Sequence, residues 1–371
     1  MRLLAETLPE QQLFTPGPVM VPDEVRESAS APAIGHRRPP FEEVLDTVRD
    51  QILDVYNADD RYTSVVVSGS GTAANETVIN SLHDVTPLVV VNGEFGERLT
   101  RIMDAHGVDY RTLEYEWGER PVPADVEAVL DAAPEIDLVA MTYQETSTGM
   151  LNPVAEVGEI CADRDCFLYA DCISAVGGEP IDVCEEHVDI ATGVSNKAVA
   201  GLTGSSFVCL NEAVLDAFDL DARTTYLDLD KHVRYAKERS QTPNTPAVTS
   251  ILGLNAALAV LLEREGLDER VERHRRCSAF VRDGIEAHDE LELLLPREQS
   301  SSTVTSVFLP DGVDLESFID ALAQRGYLVY AGKGPYYDRG MFQISTMGEI
   351  YLPDCREFMD VLDDVVAVAR P

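Results

Sequence analysis

Five continuous apolar runs of strand length, TSVVVSG (63–69), PLVVVNG (87–93), DLVAMTY (137–143), CFLYAD (166–171) and VDIATGVS (188–195), constrain the fold most. A strand apolar on both faces needs cover on both, and the amphipathic stretches TAANETVINSLHD (72–84) and GERLTRIMDAHG (96–107) lie between the runs to supply it. Strands alternating with helices in this way predict an α/β domain with a mostly parallel sheet. Its ligand belongs beyond the carboxyl ends of the strands. A chain of 371 residues is long enough for one large and one smaller domain. Residues 244–288 read as two long helices, after which STVTSVFLP (302–310), DLESFIDALAQRG (314–326), YLVYAG (327–332) and MFQISTMG (341–348) form a smaller strand–helix–strand–strand unit. The expected division is an N-terminal arm (1–18), a large domain (19–262) and a small C-terminal α+β domain (263–371).

Charge narrows the partners. Sixty-six acidic side chains against 29 lysines and arginines give a formal charge of −37, spread along the chain. Such a field repels nucleic acid and anionic membranes, so neither is an expected partner. Acid-rich, lysine-poor surfaces suit concentrated salt, where the Debye length shrinks to about 3 Å at 1 M. A halophilic enzyme is the expectation, with an ordinary acidic cytosolic protein as the alternative. No apolar run reaches the roughly 18 residues of a membrane span, and MRLLAETLPEQQLFTPGP lacks a signal-peptide core, so a cytoplasmic location is expected. The seven cysteines form no CxxC pair and no zinc spacing, so no metal site is expected.

Three features carry chemistry. In VVVSGSGTAANE (65–76) a buried strand runs through a Gly/Ser turn into a helix start. Gly69 and Gly71 allow close backbone approach, Ser70 and Thr72 offer hydroxyls, and the helix N-terminus attracts an anion. The stretch reads as a phosphate cup or as an ordinary tight turn. Asp171 closes the run FLYAD, where a carboxylate is costly unless it meets a cation or several donors; it could equally cap the next helix. The lysines are Lys197, Lys231, Lys237 and Lys333, and Lys197 sits among small and apolar residues in SNKAVAGLTG (195–204). Desolvation there would free the neutral amine as a nucleophile. A cofactor with a phosphate, a protonatable ring nitrogen and an aldehyde would use all three, which is pyridoxal phosphate.

The motifs TPGPVMVP (15–22), GHRRPPF (35–41), SGSGTAANE (68–76), NGEFGER (92–98), QETSTGMLNPV (144–154), YADCISAVGGEPID (169–182), SNKAVAGLTGSSFV (195–208) and FQISTMGE (342–349) together resemble the class V aminotransferases, close to the group holding 2-aminoethylphosphonate–pyruvate and alanine– or serine–glyoxylate aminotransferases. The resemblance implies the fold of type I pyridoxal-phosphate enzymes, with a mostly parallel seven-stranded sheet. It implies transfer of an amino group from alanine, serine or 2-aminoethylphosphonate to a 2-oxo acid such as pyruvate or glyoxylate. By the same resemblance Lys197 would join the cofactor's aldehyde and shuttle the proton, while Asp171 would pair with the ring nitrogen. Phe95 would stack on the ring, Ser70, Gly71, Thr72 and Asn196 would hold the phosphate, and Thr146 and Ile173 would complete the cofactor site. A homodimer is implied as well, with Thr245 (or Thr242) of QTPNTPAV (241–248) reaching the partner's phosphate. Gly17, Gln343 and Arg339 would face the substrate.

One departure stands out. The resemblance calls for a carboxylate-binding arginine where this chain has Gln343, and a neutral amide cannot form that charged fork. Arg339, Arg37 and Arg38 are the candidates to replace it, unless the substrate is not an ordinary 2-amino acid. The alternatives to a transaminase are a lyase or desulfurase relying on Cys355, a silent cofactor-binding protein with an altered substrate site, and a nucleotide-binding α/β protein.

Overall fold

The computed structural model describes residues 10–220 and 222–368. Its centre is a seven-stranded sheet built from β1 (Tyr62–Ser68), β2 (Pro87–Val91), β3 (Arg111–Glu114), β4 (Leu138–Thr142), β5 (Phe167–Asp171), β6 (Ile190–Val194) and β7 (Ser205–Asn211), in the spatial order β1-β7-β6-β5-β4-β2-β3. All pairings are parallel except those of β7, which runs antiparallel to both β1 and β6, with Ser206 opposite Val67 on one side and Val194 on the other.

The apolar runs do what their composition requires. Leu88 and Val90 of β2, Val139 and Met141 of β4, and Leu168 and Ala170 of β5 point into one core. Their alternates Val89, Val91, Leu138, Ala140 and Tyr169 point into a second core on the other face. Helices α1 (Pro39–Val55), α2 (Gly71–Ile79), α3 (Glu94–His106) and α4 (Val154–Ala162) cover these faces. The expected helix over 72–84 stops at Ile79 with Asn80 as its C-cap: the Asn80 backbone amide still bonds the Glu76 carbonyl (2.8 Å), while its side-chain amide donates to the Leu227 carbonyl (2.5 Å).

Two strands were not among the five runs. β3 is short, polar and exposed, as an edge strand can be. β7, SSFVCLN, has a Gly-rich approach that reads as a loop, yet every residue from Ser205 to Leu210 is buried between two neighbours.

The chain then enters α5 (Val248–Ala259), passes through a π-helical stretch at Val260–Glu265, turns at Gly266 (φ +90°) and continues as α6 (Leu267–Ala287). Beyond it, a four-stranded antiparallel sheet of β8 (Glu292–Leu293), β9 (Val304–Phe308), β10 (Tyr330–Ala331) and β11 (Met341–Ser345), ordered β8-β9-β11-β10, packs with α7 (Leu315–Gln324) and α8 (Leu352–Val368) around Phe318, Phe342 and Phe358. The described part of the N-terminal arm joins this unit: Gln12 and Leu13 pair with Tyr327 and Leu328, and Phe14 stacks on Phe358 at 4.3 Å. Residues 1–9 of the arm lie outside the described residues.

Candidate active site

The carboxyl ends of β1, β5 and β6 open onto one hollow. Two adjoining cavities of about 140 and 210 Å³ share Phe95, Arg98 and Lys197 as walls. The smaller is lined by Ser70, Gly71, Thr72, Asp171, Ile173 and Asn196, and the larger by Gly17, Thr146, Lys333 and Gln343. The larger hollow near Arg61 gathers Cys166, Cys184, His187 and Asp189, and the one near Gly312 is mostly apolar; neither is lined by a lysine.

Lys197 follows β6 in a tight turn fixed by the bonds of the Ala200 amide to the Lys197 carbonyl (2.8 Å) and of the Gly201 amide to the Ser195 carbonyl (2.6 Å). Its ammonium donates to Ser174 Oγ (2.7 Å), and the Ser174 and Thr146 hydroxyls are bonded to each other. Burial lowers the amine from its ordinary 10.5 to about 8; nearby Asp171 opposes this shift, and Lys333 and Arg98 add to it. A fraction of neutral nucleophile is therefore present near neutral pH.

Asp171 ends β5 with its carboxylate buried. Oδ1 accepts from the Ile173 amide (3.0 Å) and Oδ2 from Asn75 Nδ2 (2.7 Å). Burial nonetheless raises its pKa, against those two bonds and the charges of Lys197 and Arg98. A carboxylate in that condition gains from one more cationic donor. Asn75 cannot flip, since its Oδ1 accepts from the Tyr169 hydroxyl (2.9 Å) and the Thr192 hydroxyl (2.8 Å).

At the start of α2, Ser70 is exposed and makes no capping bond. A Cβ on Gly71 would lie 2.6 Å from Ile173 Cδ1, so only glycine leaves the helix N-terminus bare against that side chain. Phe95, in the first turn of α3, has three cations around its ring: Arg98 Cζ at 4.5 Å, Lys333 Nζ at 4.9 Å and Lys197 Nζ at 5.2 Å from the centroid. Buried Glu145 accepts from the Phe95 and Gly96 amides (both 3.1 Å) and holds that turn in place. Gly17 (φ +126°) approaches so closely that a Cβ would lie 3.1 Å from Lys197 Cγ.

Other expected residues lie elsewhere. Arg339 stacks over Phe308 (4.4 Å) and Tyr336 (5.3 Å) and does not line either cavity. Arg37 binds Gln241 Oε1 (2.8 Å) and the carbonyls of Thr242 (2.7 Å) and Pro243 (3.2 Å), so within the chain it secures the segment before Thr245. Arg38 is exposed at the start of α1. Thr245 is exposed, whereas Thr242 is buried with its hydroxyl on the Asn244 carbonyl (2.8 Å). Cys355 is fully buried in α8 within the small hydrophobic core, not in a loop. Among the described residues no cluster of His, Cys, Asp and Glu could hold a metal, and no helix is long and apolar enough to cross a membrane.

Sequence reading missed Asn75, Ser174, Glu145, Arg98 and Lys333. The first four lie within quoted motifs and Lys333 directly follows YLVYAG (327–332), but nothing in one sequence says that a side chain one turn beyond a phosphate cup reaches a strand-end carboxylate.

The sequence profile of the family described as Aminotransferase class-V matches residues 23–336. An uncharacterized aminotransferase of Methanocaldococcus jannaschii is 34% identical over 340 residues, 91% of this chain and 87% of that protein. The 2-aminoethylphosphonate–pyruvate transaminase of Salmonella paratyphi C is 30% identical over 354 residues, 92% and 94% of the two chains. The crystal structure of ureidoglycine–glyoxylate aminotransferase from Bacillus subtilis superimposes with a TM-score of 0.91 at 29% identity, covering 98% of this chain and 94% of that one.

Proposed function

The chain belongs to the class-V aminotransferases, and from that premise we propose a role for each residue of its site. The enzyme is a pyridoxal 5'-phosphate-dependent aminotransferase of the type I fold. The residues present fit that cofactor: a nucleophilic amine, a buried carboxylate with capacity for one more donor, a bare helix N-terminus and an aromatic wall. When bound, pyridoxal phosphate supplies an aldehyde for an amine and a protonated ring that spreads the charge left when the substrate carbon loses its proton.

Lys197 would hold the cofactor's aldehyde through its amine and would serve as the base that takes and returns the substrate proton. Ser174, bonded to Lys197 Nζ at 2.7 Å and to Thr146, aims the amine. Asp171 holds the proton on the ring nitrogen; the positive partner offsets the burial that otherwise pushes the carboxyl toward its neutral form. Phe95 and Ile173 orient the ring and exclude water, while Ser70, Gly71, Thr72 and Asn196 hold the phosphate at the α2 N-terminus.

We assign a 2-oxo acid acceptor of the pyruvate or glyoxylate kind, since the relatives named above use those acids. The donor is of the alanine, serine or 2-aminoethylphosphonate type. A homodimer would complete the site, with Thr245, which is exposed and has no side-chain hydrogen bond among the described residues, serving the partner's phosphate. A cytoplasmic location suits seven cysteines that are all free, and a salty one suits the net charge of −37.

The observation that carries this reading is half-buried Lys197 and buried Asp171 facing one cavity. The test is the visible absorbance of protein reconstituted with pyridoxal phosphate in high salt, wild type beside Lys197→Ala, before and after alanine, serine or 2-aminoethylphosphonate. The wild type should show a band that one donor bleaches and that the variant lacks. A variant retaining the wild-type band sinks the role given to Lys197.

A further inference from the structure

Every 2-oxo acid acceptor carries an anion beside its reacting carbon, and Gln343 cannot receive it. Gln343 is buried, and both amide protons are spent: Nε2 donates to the Thr146 carbonyl (2.7 Å) and to Ser306 Oγ (3.0 Å). Ser306 in turn donates its own proton to the Thr148 carbonyl (2.8 Å), so it can only accept from Gln343. Flipping the amide would set Gln343 Oε1 against the Thr146 carbonyl, acceptor against acceptor. What remains for the cavity is an oxygen that repels a carboxylate.

Two cations face the same space. Lys333 lies in the turn after β10, where the Gly332 amide bonds the Met341 carbonyl (2.6 Å) and Gly334 (φ +50°) packs so closely on Trp117 that a Cβ would meet its ring at 2.6 Å. The backbone is thus fixed on both sides of the side chain. Among the described residues no carboxylate pairs with Lys333; its ammonium stands 4.9 Å from the Phe95 centroid on the wall of the larger cavity. Arg98 lies one turn along α3 from Phe95. Among the described residues only its Nη2 is hydrogen-bonded, at 3.2 Å from Glu94 Oε1, an oxygen that Arg101 shares at 2.7 Å. The rest of the guanidinium is available to the cavity it lines.

We infer that Lys333 and Arg98 form the receptor for the anionic group of the substrate, a carboxylate or a phosphonate, in place of the arginine absent at position 343. The pair stands on the Phe95 wall, so the reacting carbon held near Lys197 and the anion held by Lys333 and Arg98 lie within one cavity. An ammonium beside a half-engaged guanidinium accepts a tetrahedral, doubly charged oxyanion as well as a planar carboxylate, since lysine acts as a point charge and not as a fixed fork. This rests on the cofactor placement proposed above.

The experiment titrates reconstituted holoenzyme with two unreactive anions, propionate and ethylphosphonate, reading the change in the cofactor's absorbance, and follows each with competition against L-alanine. Lys333→Ala should weaken binding of the preferred anion about tenfold or more, with Lys333→Arg retaining most of it and Arg98→Gln weakening it as well. Preference for propionate assigns a carboxylate as the receptor's natural ligand; preference for ethylphosphonate assigns a phosphonate. Either result supports the receptor. Equal affinities in wild type, Lys333→Ala and Arg98→Gln, or no binding to wild type, overturn it. The wild-type cofactor band, read before any anion is added, separately tests the underlying site.

Discussion

Asn75 does for Asp171 what no charged neighbour does, because it fixes one carboxylate oxygen and is itself fixed by two hydroxyls. Replacing it with alanine removes a donor from a buried carboxylate and leaves the Tyr169 and Thr192 hydroxyls without their acceptor. Orphaned buried groups cost about 1–3 kcal/mol each, so Asn75→Ala should lower unfolding free energy by about that much or more in urea titrations; a change within about 0.5 kcal/mol, the range of surface substitutions, would refute the account. Lys197 makes a second prediction through its proton. Its folded-state value is about 8 against an ordinary 10.5, so between those limits the unfolded chain binds the extra proton and stability rises with pH. Below about pH 8 both states are charged and the cost of burying the ammonium is fully present. Cofactor-free wild type should therefore gain stability across that window relative to Lys197→Met. Parallel pH profiles for the two proteins would show that the lysine is not desolvated.

At the scale of elements, the joint between α5 and α6 concentrates charge. Glu265 ends the π-helical stretch and binds Arg270 and, at 2.7 Å, Arg273, while Arg270 Nη1 reaches the Ala198 carbonyl (3.0 Å) beside Lys197. Burial alone would raise the Glu265 carboxyl, but Arg273 and Arg270 hold it below its usual range, so its contribution is lost as pH falls through that depressed value. Glu265→Ala strands two buried guanidiniums and should cost about 3–5 kcal/mol in chemical unfolding; a loss below about 1 kcal/mol would mean that water reaches the pair. Nothing in the sequence announces this joint, because it depends on a helix returning to the Lys197 loop. The five apolar strands were legible because burial on both faces is written in consecutive residues, and so were Lys197 and Asp171, which stand where such strands end. β7 was hidden by its Gly-rich approach. Ser174, Asn75 and Lys333 were hidden for a different reason: they act across the fold, and spacing along the chain carries no trace of a contact between residues 75 and 171 or between 95 and 333.

For the whole molecule the controlling quantity is the charge of −37. The described acidic groups that have partners are mostly in exposed pairs, such as Arg111 with Glu135 or Arg297 with Asp283 and Glu286, which contribute little individually. The excess carboxylates repel one another, and repulsion at a distance is what salt removes: the screening length falls from about 10 Å at 0.1 M to about 3 Å at 1 M. The melting temperature should therefore climb steeply as KCl is raised over that range. Salt also strengthens apolar burial, so a rise by itself does not identify the cause. Glu357, Asp360 and Asp363 separate the two contributions, since all three are exposed on α8 and line neither catalytic cavity. Changing them together to lysine leaves the buried core intact and moves the net charge toward zero. If self-repulsion limits stability, the triple variant should melt higher than wild type in 0.1 M KCl and nearly with it in high salt, narrowing the gap between the two conditions. An unchanged gap would assign the salt response to apolar burial and remove the argument for a saline habitat.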